Sequence, residues 1–115
     1  MPVLYHNPRC SKSRQAVLMC AESAIDVDIH LYLKKPLDYD TLYSMLERLQ
    51  GDVGQAVRWK DKAIQSIDTS DIDANDIESV ARFLSEFGHL MERPWLDVGS
   101  VTMIGRPVEN LARLL

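Results

Sequence analysis

The first third of the chain carries alternating strand-like and helix-like hydrophobic patterns. Residues 3–5 form a short apolar run that ends at a His-Asn-Pro turn, which predicts a first strand. The next segment predicts a helix, because apolar side chains recur at i, i+3, i+4 and i+7. These apolar residues are Val17, Cys20, Ala21 and Ala24. Residues 27–33 then alternate strictly, with an apolar set that consists of Val27, Ile29, Leu31 and Leu33. This alternation predicts a second strand, parallel to the first and reached by a right-handed crossover.

The middle of the chain has helical periodicity and many acidic residues. One apolar stripe precedes Gly51 and consists of Leu42, Met45, Leu46 and Leu49. A second apolar stripe consists of Ile77, Val80, Ala81 and Leu84. Asn75 followed by Glu78 resembles a capping box, which predicts that the second helix begins just before its stripe.

The strand pattern returns near the C-terminus. Residues 95–98 and 101–104 are apolar runs on either side of Gly99 and Ser100, which predicts a β-hairpin. Pro107 suits the first turn of a last helix, because proline is favoured at that position. We expect the buried side of this helix to carry Val108, Leu111, Ala112 and Leu115.

The order of the predicted elements is βαβ, then helices, then ββα. That order is typical of an α/β protein with the thioredoxin-like fold, here with an all-helical insertion at about residues 36–90. A length of 115 residues is enough for one hydrophobic core and too short for two. We therefore expect a single domain over residues 1–115.

Composition and charge exclude several functional classes. Hydrophobic residues make up 46% and charged residues 26% of the chain, which excludes wholesale disorder. A formal net charge of −4 gives no general attraction to nucleic acid or to an anionic membrane, so we expect neither as a partner. Two cysteines are too few for a disulfide framework or a zinc site, and we expect no bound metal. Without an apolar run long enough for a membrane span or a secretory signal pattern, we expect a cytoplasmic protein, acting as a monomer.

Cys10 lies where the first strand gives way to the first helix. The unpaired N–H groups and the positive dipole end of a helix N-terminus stabilise an anion. A thiolate is such an anion, and its pKa falls below the usual value of about 8.5 in this setting. The nearby basic residues Arg9, Lys12 and Arg14 act in the same direction. Free cysteines are more often buried and inert, but this context predicts a reactive thiolate beside an anion pocket.

Two motifs that would have changed the chemistry are absent. Ser13 occupies the position of a second cysteine in a C-x-x-C motif, which disfavours a self-contained dithiol oxidoreductase. Ala16 occupies the position of the arginine in a Cys-x5-Arg phosphatase loop. Cys20 lies on the predicted apolar helix face, where we expect it to pack. What remains is a single nucleophilic thiol whose adduct is resolved by an external thiol such as glutathione.

The loop around Cys10 resembles the active-site loop of the glutaredoxin-coupled arsenate reductase family. Its sequence is His6-Asn7-Pro8-Arg9-Cys10-Ser11-Lys12-Ser13-Arg14. The resemblance spans nearly the whole chain and includes counterparts of the family's three oxyanion-binding arginines. These are Arg58 in Ala56-Val57-Arg58-Trp59-Lys60, Arg93 in Glu92-Arg93-Pro94, and Arg106 in Gly105-Arg106-Pro107.

The resemblance implies that the protein reduces arsenate to arsenite. Cys10 would attack arsenic while the three arginines neutralise charge on the oxygens, since guanidinium groups bind such oxyanions bidentately. Glutathione would then attack the adduct and glutaredoxin would release the mixed disulfide, with no cofactor bound to the chain. The resemblance also implies that His6 helps to keep the cysteine ionised and that Pro94 follows a cis peptide bond. We expect Ser13 and Arg14 of the same loop to contribute to oxyanion binding.

Two other functions are open at this point. A glutathione-linked thiol oxidoreductase with another substrate would use the same Cys10, and Arg58 and Arg106 would then hold a glutathione carboxylate. The Spx transcription regulators share this fold and contact RNA polymerase. Those regulators typically carry C-x-x-C as a redox switch, which Ser13 interrupts here, and the Gly-Arg-Pro triplet at Arg106 also favours the reductase.

Overall fold

A four-stranded mixed β-sheet forms the centre of the protein, which a computed structural model describes over residues 1–115. Its strands are β1 (Val3–His6), β2 (Asp28–Leu31), β3 (Trp95–Asp97) and β4 (Thr102–Ile104). The strand order is β2-β1-β3-β4, with β1 and β2 parallel and the other two pairs antiparallel. Helix α1 (Ser11–Glu22) connects β1 to β2. The predicted fold class, with its βαβ unit and its C-terminal hairpin, is confirmed.

Each face of the sheet is covered by its own helical layer. Successive side chains of a strand point to opposite faces, and both faces of β3 and β4 are buried. One face packs against α1 and a 3₁₀ helix at Val108–Leu114, and its cluster consists of Leu4, Ala16, Cys20, Leu96, Met103, Val108 and Leu111. The other face carries Tyr5, Trp95 and Ile104 and packs against the helices of the insertion.

The insertion between β2 and β3 is helical. It contains α2 (Tyr39–Glu47) and α3 (Ile77–Glu86), and three short 3₁₀ helices at Val53–Ala56, Lys62–Ser66 and Gly88–Leu90. The α2 stripe is confirmed, with its first three members buried, and the α3 stripe is confirmed with Phe83 as an additional buried residue. The predicted start of α3 was one residue early, because Asp76 caps the helix by accepting a hydrogen bond from the Ser79 backbone N–H at 3.0 Å.

Helix α1 buries a different line of residues from the one that apolar periodicity predicted. Its buried residues are Ser13, Ala16 and Cys20, whereas Ala21 is exposed and Ala24 lies beyond the end of the helix. Small side chains let the helix approach the sheet closely, and Ser13 is tolerated in the interior because its hydroxyl is hydrogen-bonded. The prediction for the last helix was also partly wrong, since Ala112 is exposed.

The second strand is shorter than the alternating segment at residues 27–33, and the members of its apolar set are partly buried or exposed. Strand β2 ends at Leu31, and Tyr32 just beyond it is only 2% exposed. Ile29 and Leu33, which belong to the apolar set, are 44% and 47% exposed. β2 is an edge strand paired only with β1, so α1 covers its apolar face incompletely, while the Tyr32 ring enters the core under the insertion. None of the helices has the length and apolar character that crossing a bilayer requires.

Candidate active site

Cys10 is the N-cap residue of α1, at the edge where the parallel strands β1 and β2 end. Its backbone N–H donates to the Asn7 carbonyl at 3.0 Å, and its own carbonyl accepts from the Arg14 N–H at 3.0 Å. The residue is 8% exposed. The loop therefore folds back on itself and places Cys10 at the N-terminal end of α1.

Opposing influences act on the pKa of Cys10, and their net effect is to lower it. Burial is the largest and raises the pKa, because it disfavours a charged sulfur. The Arg93 guanidinium and the backbone N–H groups of Ser13 and Lys12 stabilise the thiolate and together outweigh burial. The helix N-terminus predicted from the sequence thus contributes to ionisation, together with the Arg93 cation.

Arg106 also reaches the sulfur. Its Nη2 lies 3.5 Å from Cys10 Sγ, and its Nε donates to the Arg93 carbonyl at 2.9 Å. The Arg93–Pro94 peptide bond is cis, as the resemblance implied, and the Arg106–Pro107 bond is cis as well. Two of the three predicted arginines therefore lie at the sulfur.

Arg58 lines a cavity of about 500 Å³ and is held by acidic side chains. Its Nε lies 3.3 Å from Asp61 Oδ2, and its Nη1 lies 3.3 Å from Glu92 Oε1. The cavity is also lined by Lys60 and by Arg106. The insertion thus supplies one wall of a basic cavity, and Arg106 connects that cavity to Cys10.

Glu92 is the central acceptor among these arginines. Its Oε1 lies 3.3 Å from Arg58 Nη1 and 3.5 Å from Arg106 Nη2, and it accepts from the Arg93 backbone N–H at 3.2 Å. The sequence gives no role to Glu92 beyond its place before Arg93 in Glu92-Arg93-Pro94. The available signal was an acidic residue beside a predicted anion-binding arginine, which by itself does not indicate that the carboxylate faces the same cavity.

His6 contacts Ser13 in this structure. Its Nδ1 lies 2.7 Å from Ser13 Oγ, which also accepts from the Asn7 backbone N–H at 2.9 Å. Burial lowers the pKa of His6 below its ordinary value, and the positive charge of Arg14 lowers it further. His6 therefore favours its neutral form, and through Ser13 it fixes the shape of the loop that carries Cys10.

Arg14 and Cys20 lie away from the cavity. Arg14 is exposed, and its Nη1 donates to the Pro8 carbonyl at 2.9 Å, so it ties the start of the helix to the loop. Cys20 is 6% exposed within the cluster under α1, and burial raises the pKa of its thiol. Neither the site nor the rest of the chain groups three His, Cys, Asp or Glu side chains in a way suited to a metal ion.

Comparison with known proteins gives a consistent result. The sequence profile of the ArsC family matches residues 5–114. The chain is 35% identical over 114 residues to an arsenate reductase of Haemophilus influenzae, covering 98% of this chain and 97% of that protein. It is 30% identical over 113 residues to the uncharacterized protein YfgD of Escherichia coli, covering 97% and 94%. Among solved structures, an arsenate reductase from Vibrio cholerae superimposes with a TM-score of 0.86 at 25% identity, over 99% of this chain and 97% of that one.

Proposed function

The chain belongs to the ArsC family, and we propose that it reduces arsenate to arsenite through Cys10, with glutathione and glutaredoxin as reductants. The observation that carries this proposal is the arrangement at the sulfur. A cysteine of lowered pKa caps a helix, and Arg106, whose Nη2 lies 3.5 Å from its sulfur, also lines a basic cavity. A nucleophile and cationic groups for a multivalent oxyanion therefore meet at one place.

The first step forms a bond between sulfur and arsenic. The Cys10 thiolate attacks arsenic(V), and one oxygen takes up two protons and leaves as water, so arsenic keeps its oxidation state. Arg93 and Arg106 neutralise charge on the oxygens nearest the sulfur, which stabilises the developing transition state. Arg58 binds another oxygen of the oxyanion after exchanging its carboxylate partners.

The second stage transfers electrons from external thiols, so the chain needs no bound cofactor. Glutathione thiolate attacks the Cys10 sulfur, and the electron pair of the sulfur–arsenic bond stays with arsenic, which leaves as arsenite. Glutaredoxin then takes the glutathione from the mixed disulfide and restores the Cys10 thiol by thiol–disulfide exchange. Cys20 takes no part in these steps, since it is packed under α1 as a thiol of raised pKa.

The test is arsenate-dependent consumption of NADPH in a coupled assay that contains glutathione reductase, glutathione and glutaredoxin. We expect turnover with the wild type, none with Cys10→Ser, and nearly full turnover with Cys20→Ser as the matched cysteine control. A parallel assay with thioredoxin and its reductase in place of the glutathione system tests the reductant. Absence of arsenate-dependent turnover in the folded wild type with both systems would contradict the proposal, and turnover with thioredoxin alone would correct the reductant.

A further inference from the structure

Two buried hydrogen-bond donors beside Cys10 have no partner. The hydroxyl of Tyr32 and the Nε of Arg93 are both inaccessible to solvent, and neither makes a hydrogen bond within the protein. Tyr32 as a whole is 2% exposed. A buried polar group without a partner is destabilising, so such groups are rare in folded proteins and call for an explanation.

The sheet topology brings both groups to the Cys10 loop. In the parallel pair of β1 and β2, His6 is opposite Leu31, so the chain leaves both strands at one edge, with Asn7 and Tyr32 as the next residues. Strand β3 is antiparallel to β1 and pairs Trp95 with Tyr5, so Arg93 lies just beyond that same edge. Tyr32 therefore lies at the edge of the sheet where the Cys10 loop and Arg93 also lie.

The electrostatics of Tyr32 agree with this placement. Burial raises the pKa of its hydroxyl, the Arg93 charge and the nearby Asn7 side chain oppose that effect, and the Cys10 thiolate adds to it. The net pKa is above its ordinary value, so the phenol keeps its proton at neutral pH and is a donor. An Asn7 amide that approaches the phenolic oxygen as a donor leaves this proton free.

We propose that Tyr32 is a further substrate-binding residue, whose hydroxyl donates, together with Arg93 Nε, to an oxygen of the anion held at Cys10. The inference rests on the proposed function for the identity of that anion, and the chemistry it names is that of a tetrahedral oxyanion. Both donors lack an acceptor in the free protein, and the oxyanion supplies one. The interaction therefore forms only in the complex and adds to the affinity without a competing partner to displace.

The experiment measures how oxyanions protect Cys10 from alkylation by iodoacetamide. Arsenate, phosphate and sulfate are titrated separately against the wild type, Tyr32→Phe and Tyr5→Phe, and the concentration that halves the rate gives an apparent Kd. Tyr5 is the matched control, because it is a tyrosine 7% exposed in the same core, with Asp97 and Arg48 as its charged neighbours. Thermal unfolding and the pH midpoint of alkylation are measured for all three proteins.

We expect Tyr32→Phe to weaken protection by about tenfold, as loss of a donor to a charged acceptor does, and Tyr5→Phe to match the wild type. We expect the unfolding midpoint of Tyr32→Phe to equal or exceed that of the wild type, because the substitution removes an unpaired buried hydroxyl. The pH midpoint of Cys10 alkylation stays unchanged, since the hydroxyl makes no hydrogen bond to the sulfur in the free protein.

Three results would overturn the inference. Equal protection of the wild type and Tyr32→Phe would show that the hydroxyl does not contact the oxyanion. A lower unfolding midpoint in Tyr32→Phe would show that the hydroxyl already has a structural partner. If none of the three oxyanions protects Cys10 of the wild type from alkylation, the protein has no anion site at this cysteine. Protection that depends on Tyr32, combined with no arsenate turnover, would instead contradict only the proposed function.

Discussion

The Cys10 loop and the arginine cavity differ in how they are built. Hydrogen bonds of the loop join residues that are close in sequence, such as Asn7 N–H to Ser13 Oγ, with a separation of 6 residues. The cavity is assembled from distant segments, since Arg58 and Glu92 are 34 residues apart. The loop holds its groups through backbone and hydroxyl bonds, and the cavity holds them through partly exposed ion pairs.

Under the proposed function, this difference separates preparation of the nucleophile from capture of the oxyanion. The thiolate is stabilised in the free protein by helix N–H groups and Arg93, and no rearrangement is needed for it. Arg58 and Arg106 instead share Glu92 in the free protein. Partly exposed ion pairs contribute only about 0–1 kcal/mol each, so an incoming oxyanion can exchange with them at small cost.

The largest expected effect is a loss of turnover, and it compares Arg93 at the sulfur with Arg58 in the cavity. Arg93→Gln removes a cation that acts on the sulfur, and we expect turnover to fall roughly 10²–10³-fold, as on loss of a donor to a developing oxyanion. Arg58→Gln should cost less, about tenfold, because Arg58 is not among the groups that stabilise the thiolate and is shared with two carboxylates.

Arg82→Gln is the control for this pair, since Arg82 is an exposed α3 residue paired only with Glu78. The measurement is kcat/KM for arsenate in the coupled assay. Equal losses for Arg93→Gln and Arg58→Gln would contradict the separation between the two regions.

The next effect concerns the loop. Ser13→Ala removes the acceptor of the buried Asn7 N–H and the partner of His6 Nδ1, and we expect the free energy of unfolding to fall by about 1–3 kcal/mol. Ser11→Ala is the control, because Ser11 is exposed in the same turn and makes no side-chain hydrogen bond. Urea unfolding measures both, and equal stability of the two variants would mean that the loop does not depend on Ser13.

Substitution of Glu92 tests whether the cavity is occupied by the protein's own carboxylate. Glu92→Gln keeps an oxygen that orients the arginines and removes the charge that competes with an oxyanion. We expect phosphate and arsenate to bind about threefold more tightly, in line with the modest worth of such ion pairs. Isothermal titration calorimetry gives the Kd, and weaker binding would make Glu92 a group that positions the arginines.

The smallest effect is the pH dependence of stability due to His6. Burial lowers the pKa of His6 in the folded protein below the value of about 6.5 in the unfolded chain. The unfolded chain therefore binds more protons, and stability falls as the pH drops from about 6.5 through the folded pKa. Urea midpoints between about pH 5 and pH 7.5 should fall less steeply in His6→Gln than in the wild type, and identical slopes would contradict this assignment.

The sequence predicted the local half of the site better than the long-range half. The position of Cys10 at a helix N-terminus follows from neighbouring residues, because Pro8 and the polar residues after Cys10 mark a strand end and a helix start. The contact between Glu92 and Arg58 depends on how the insertion packs on the sheet, which periodicity does not encode.

The fold shows the same limit. Hydrophobic periodicity predicted the stripes of α2 and α3, whose buried faces are apolar. Periodicity did not predict that Ser13 belongs to the buried face of α1. It also did not predict that Tyr32, just beyond β2, is buried while Ile29 is exposed. In these two places a hydroxyl group is buried: that of Ser13 is hydrogen-bonded to His6, and that of Tyr32 has no partner. A pattern of apolar residues does not reveal buried polar groups.

The most direct test of a thiolate prepared in the free protein is the rate of Cys10 alkylation by iodoacetamide as a function of pH, measured on the Cys20→Ser protein so that only one thiol reacts. We expect a midpoint below the value of about 8.5 that is usual for a free cysteine. We also expect Arg93→Gln to move the midpoint upward, because a cation that stabilises the thiolate is lost. A midpoint at or above about 8.5 in the folded protein, unchanged by Arg93→Gln, would contradict the claim that the free protein holds a prepared thiolate.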